Sequence, residues 1–260
     1  MNSMIETAMV ITQLDQGVLT LTLGAGKAHP LSLAMIRGLH AEIDAAAQDD
    51  AVKVLVIYGP GPIFCAGHDL KEIARHRGDA DDGRAYLTEL FAACGAMMQA
   101  LSNCAKPSIA MVEGIATAGG LQLAAACDLV FAARGATFCL PGVNNGGFCT
   151  TPAVTVSRVI GRKRVAEMAL SGETFDAQWA REAGLVNRVL SRDILAREVM
   201  EFAHQLASRH APAVADGKAA LYRHLEMPLS EAYDMAADVM VGHFMDPHRI
   251  AHDKKNWLKS

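Results

Sequence analysis

Aromatic side chains are scarce in this 260-residue chain, at 5% of positions, and charged ones make up only 20%. A solvated, disordered tail is excluded, because 51% of the residues are apolar and can bury a sizeable core without metal or disulfide staples. There is no basic stripe: 24 Lys and Arg face 28 Asp and Glu, for a net charge of −4. Nucleic acid and anionic lipid normally call for such a stripe, so neither is expected as a partner. No apolar run reaches the roughly 18 residues of a membrane span, since Asp128 breaks the longest candidate. The first thirty residues lack a basic segment joined to an apolar one, so a cytoplasmic protein is expected. The six cysteines form no CxxC pair and read as reduced core thiols, without a disulfide framework or a metal. The one dense basic run, Arg162-Lys163-Arg164, reads as the solvated start of a helix.

Small side chains, by contrast, are abundant. Alanine (45) and glycine (22) together fill 67 of the 260 positions, so backbones must approach one another or a ligand closely.

Alternation over residues 9–13 and 18–23, around Asp15-Gln16-Gly17, predicts a hairpin, and the three-four spacing of Leu33, Ile36, Leu39 and Ile43 predicts a helix over 31–48. Continuous apolar runs at 52–58 and 107–112 predict strands buried on both faces, with a helix over 86–103 between them. Further elements are expected as a helix at 119–127, strands at 129–132 and 137–140, helices at 154–159 and 163–170, and a last strand at 185–190. Beyond about residue 192 the pattern is only helical, punctuated by Pro212, Pro228 and Pro247. An α/β core over 1–195 and a helical region over 196–260 are therefore expected.

Two loops stand out, Phe64-Cys65-Ala66-Gly67-His68-Asp69-Leu70-Lys71 and Gly114-Ile115-Ala116-Thr117-Ala118-Gly119-Gly120-Leu121-Gln122. Each follows a buried strand and opens into a helix, where unpaired amides and the helix dipole favour an anion or a developing oxyanion. Plain strand-to-helix turns are the alternative reading.

With these loops in hand, the chain resembles the crotonase (enoyl-CoA hydratase/isomerase) family. Supporting segments at family spacing are residues 23–32, 64–72, 106–107, 114–123, 127–128, 171–173 and 183–189. Within that family, Gly-His-Asp-Leu at 67–70 and Phe-Cys-Thr-Thr-Pro at 148–152 most resemble the branch called enoyl-CoA hydratase domain-containing protein 3. The resemblance implies a crotonase-like spiral of ββα turns, a helical C-terminal region that builds a homotrimer or a dimer of trimers, and an acyl-CoA or enoyl-CoA thioester as ligand. No separate cofactor is implied, because coenzyme A enters with the substrate. It further implies an oxyanion hole from the amides of His68 and Gly119, with the ligand along Ala66, His68, Asp69 and Leu70, and Lys71 near its phosphates. Asp69 also reads simply as a helix cap.

The family's two glutamates fall on Gln122 and Gly142. Hydration calls for a carboxylate on each side of one water, so ordinary hydratase chemistry is brought into question. Asn144, Asn145 or Thr150 could hold water or substrate, and Cys149 could be a nucleophile; a Gly/Asn turn before a helix is the plainer reading. Two expectations remain open: a hydratase-like lyase or isomerase of fatty-acid type acting through a thioester enolate, and a non-catalytic acyl-CoA-binding or regulatory protein. His243, His248, His252 and Asp253 include a four-residue spacing that can bind metal, but an exposed polar face accounts for it equally.

Overall fold

The computed structural model describes residues 9–24 and 26–257, so Ala25 of the opening motif and the first eight residues lie outside the described residues. Gln16 and Gly17 both take positive φ, 45° and 86°, the geometry of a two-residue primed turn. They join β1 (Val10–Asp15) to β2 (Val18–Leu23) as the expected antiparallel hairpin. The Ser32 hydroxyl accepts from the Met35 N–H and starts α1 (Leu33–Gln48), which buries Ile36, Leu39 and Ile43.

A repeated plan follows. β3 (Val54–Gly59) and β4 (Ile63–Cys65) lead to α2 (Leu70–His76) and α3 (Arg84–Asn103). β5 (Ser108–Val112) and β6 (Ile115–Thr117) lead to α4 (Gly119–Ala126). β7 (Leu129–Ala133) and β8 (Thr137–Cys139) lead through a 3-10 turn at Pro141–Asn145 to α5 (Thr150–Val159) and α6 (Arg162–Ser171). β9 (Thr174–Asp176), α7 (Ala177–Ala183), β10 (Arg188–Leu190) and α8 (Arg192–Ala207) complete the unit. In each of the three pairs the first strand enters a six-stranded sheet, β1-β2-β3-β5-β7-β10, and the second enters a four-stranded one, β4-β6-β8-β9. This is the expected spiral of ββα turns. Stacked turns leave no room at their corners: a Cβ on Gly114 would lie 2.1 Å from the Pro62 carbonyl oxygen of the preceding turn.

The central strands of the larger sheet, β3 and β5, are covered on both faces, which explains their uninterrupted apolar runs. Leu55 and Ile57 of β3 face the main core with α1, whereas Val54 and Val56 face a second cluster with Leu195, Val199 and Ala203 of α8. That packing carries the first compact unit to Ser208, beyond the boundary expected at 195. The second unit holds α9 (Ala211–His224), α10 (Leu229–Met245) and α11 (Pro247–Asn256), each with a proline at or beside its start.

Two element boundaries differ from expectation by more than two residues. The last strand is only 188–190, because the Leu185 and Val186 amides both donate to the Ala180 carbonyl and close the end of α7. α5 begins at Thr150 rather than after Pro152, since proline is tolerated in a first helical turn.

Candidate active site

Gly67, at φ +80°, turns the chain after β4 so that the next residue pairs with the opening segment. The Leu31 amide donates to the Gly67 carbonyl at 2.8 Å, and the Asp69 amide donates to the Leu31 carbonyl at 3.3 Å, giving one parallel bridge between Leu31 and His68. In such a bridge the flanking residues supply the bonds, so the His68 N–H faces away from Leu31. No protein acceptor among the described residues takes it. Gly119 is the first residue of α4, and its N–H has no intrahelical acceptor. Ala118 before it holds φ +50°, and its own amide donates to the Cys139 carbonyl at 3.0 Å.

The two loops meet. A Cβ on Gly67 would lie 2.9 Å from the Gly119 nitrogen, and one on Gly119 would lie 3.4 Å from both Gly67 Cα and His68 Cε1. Such proximity requires α4 to sit hard against β4: a Cβ on Gly120 would stand 2.0 Å from the Cys65 carbonyl oxygen. The structure thus brings His68 and Gly119 together, from loops that carry no local signal of contact.

Around this junction the His68 ring meets Phe91 of α3 edge-on, centroids 5.0 Å apart. Its Nε2 is buried without a partner, and burial pushes the imidazole pKa down. Phe91, absent from the sequence-based candidates, also lines a cleft of about 600 Å³ with Arg77, Arg84, Leu87 and Thr88. Its only sequence signal was an aromatic side chain in a chain poor in them. Gln122 on α4 is 4% exposed, and its Oε1 is buried without a partner.

At position 142 a side chain has no space. A Cβ there would lie 2.6 Å from the Cys149 nitrogen and 2.7 Å from the Phe148 carbonyl carbon. Two polar side chains of the loop after it are committed to backbone carbonyls. Asn144 Nδ2 donates to the Gly172 carbonyl at 2.9 Å, and Thr150 Oγ1 donates to the Phe148 carbonyl at 3.3 Å. Cys149 is buried, and burial pushes its thiol pKa up, away from the nucleophilic thiolate. Cys65 is likewise pushed up to about 12, and all six cysteines are buried as thiols.

Asp69 caps α2, accepting from the Lys71 and Glu72 amides at 2.9 and 3.2 Å. Leu70 and Lys71 stand exposed beside it, and the Ala66 amide donates to the Ala28 carbonyl at 3.0 Å. In the second unit, His248 groups with His210 and Asp246 rather than with His252, their ligand atoms within 4.8 Å of one another. The His210 and His248 rings stack 6° from parallel, centroids 4.4 Å apart, so their in-plane lone pairs cannot both aim at one ion. Among the described residues no helix is long and apolar enough to cross a membrane.

Comparison with known proteins agrees with this architecture. Residues 13–252 match the family model described as enoyl-CoA hydratase/isomerase. The rat protein named enoyl-CoA hydratase domain-containing protein 3, mitochondrial, is 39% identical over 91% of this chain and 77% of its own length. A crystal structure of an enoyl-CoA hydratase/isomerase family protein from Silicibacter pomeroyi superimposes with a TM-score of 0.87 at 58% identity, covering 91% of this chain and all of that one. The human enoyl-CoA hydratase domain-containing protein 3 structure gives 0.88 at 37% identity, over 93% of this chain and 94% of its own. With its spiral fold, its paired loops and a match over nearly its whole length, the chain belongs to the enoyl-CoA hydratase/isomerase family.

Proposed function

We propose that the His68 and Gly119 amides form an oxyanion hole for the carbonyl of an acyl-CoA or enoyl-CoA thioester, and that the protein turns such thioesters over through an enolate. The observation that carries this reading is the convergence of two unpaired amides, with the Gly119 nitrogen 2.9 Å from the position of a Gly67 Cβ. Preorganised donors act where charge develops, and losing one typically costs about 3 kcal/mol of transition-state stabilisation. Coenzyme A arrives as part of the substrate and lies along Ala66, His68, Asp69 and Leu70, with exposed Lys71 toward its phosphates. Asp69 serves there by shaping the segment, since its carboxylate caps α2 and its amide donates to the Leu31 carbonyl.

Water addition by a pair of carboxylates is not supported by these side chains. Gln122 orients a group without titrating, and the second position is closed by the Phe148–Cys149 backbone. Purified protein is expected to convert at least one member of a panel of enoyl- and hydroxyacyl-CoA thioesters, followed by thioester absorbance and mass spectrometry. No conversion at high enzyme concentration would overturn the enzyme reading. The closed position at Gly142 favours one rival, a non-catalytic acyl-CoA binder, which requires tight thioester binding without turnover.

A further inference from the structure

One ionisable side chain beside the proposed oxyanion hole has no structural task, the imidazole of His68. Its Cε1 lies 3.4 Å from where a Gly119 side chain would begin, and Phe91 meets the ring edge-on at 5.0 Å. Buried polar atoms are nearly always paired, yet His68 Nε2 is buried and unpaired. His29 shows the contrast of a structural histidine, its ring nitrogens 2.7 and 3.0 Å from the Gly24 and Pro60 carbonyls. Elsewhere around the junction, Gln122 does not titrate, Gly142 has no side chain, and the Asp69 carboxylate is held by amides.

We propose that the His68 imidazole is the catalytic base of this site, removing a proton from the α carbon of a thioester held by the His68 and Gly119 amides. The inference rests on the oxyanion-hole reading above. Nε2 uses its lone pair to form an N–H bond as the Cα–H bond breaks. The released electron pair forms the enolate double bond, and the carbonyl π pair moves onto oxygen, facing the two amides. With a 3-enoyl thioester, the imidazolium returns its proton to Cγ and the double bond shifts to the 2 position, without water or a second carboxylate. With a saturated thioester in D2O, the ring proton exchanges with solvent and a deuteron returns to Cα. Burial pushes the imidazole pKa down, which favours the neutral form that a base needs.

The test is deuterium incorporation into hexanoyl-CoA in D2O, read by mass spectrometry, with isomerisation of 3-hexenoyl-CoA followed in parallel. Both His68→Gln and His68→Ala keep the backbone N–H at position 68 and remove only the ring. Calorimetry is expected to show hexanoyl-CoA binding within about tenfold of the parent chain, with exchange and isomerisation lowered about 100-fold or more. Exchange within threefold of the parent in either variant would overturn the proposal. So would a parent chain that binds hexanoyl-CoA and exchanges no deuterium, or loss of binding along with exchange in both variants. A parent chain that binds no thioester would instead overturn the oxyanion-hole reading itself.

Discussion

A glutamate introduced at position 142 has to displace backbone, since its Cβ alone would lie 2.6 Å from the Cys149 nitrogen and 2.9 Å from Phe148 Cα. Neither atom belongs to a flexible side chain that could swing aside. Gly142→Glu is therefore expected to lose about 1–3 kcal/mol of stability in urea titration, the usual cost of overpacking, and to gain no hydratase activity. A variant of parental stability that hydrates an enoyl-CoA would show instead that the loop yields easily. The substitution at position 122 differs in kind: Gln122 keeps a polar group aimed from α4, whereas Gly142 marks a place already filled by main chain. The sequence displays both departures equally plainly, but it cannot reveal that one is a replacement and the other a closure.

Among the α-helices of the first unit, α2 depends most on its ends. None of its residues is fully buried, and its packing rests on Ile73 against the main core and the His76 ring on Tyr86. It is further fixed by the Asp69 cap and the Glu72 carboxylate, which accepts from the Leu33 amide at 3.1 Å. Asp69→Ala is expected to cost about 1 kcal/mol and to weaken thioester binding by loosening the segment that aims the His68 amide. Asp69→Asn, which can still accept from those amides, is expected to stay near the parent in both denaturation and calorimetry. Equal losses in the two variants would show that the carboxylate charge, not the cap, is what matters. The cap was legible because an aspartate just before a helical pattern has a local physical meaning. Strands β4, β6 and β9 were not legible: like β8 and β10 each is three residues long and too short to show a period, and unlike those two it was not covered by a longer stretch read as a strand. They exist because a neighbouring turn offers a ladder to pair with. α7 was hidden for a related reason: its seven residues bury little more than Ala177 and Ala180.

On the scale of the whole molecule, the apolar surface of the second unit calls for cover. Leu229, Tyr233, Val241 and Met245 are all exposed, and no residue of α9, α10 or α11 is buried. Exposed apolar patches of this kind mark interaction surfaces. Light scattering after size exclusion is expected to give a trimer or a dimer of trimers, and Leu229→Lys with Tyr233→Lys to shift the protein toward smaller species. A monomeric parent chain would remove the homo-oligomer from the reading.

The sequence by itself determined the helical stripes, the hairpin, the doubly buried strands and the small residues on which stacking depends, because each is a local pattern of polarity or backbone freedom. Tertiary structure alone decided the rest. The Gly67–His68 segment meets Gly119 only because successive spiral turns stack with no side chain between them. The same stacking leaves the His68 ring against Phe91 without a hydrogen-bond partner for Nε2. Contacts between distant segments depend on how the layers pack, and no single stretch of sequence contains that information.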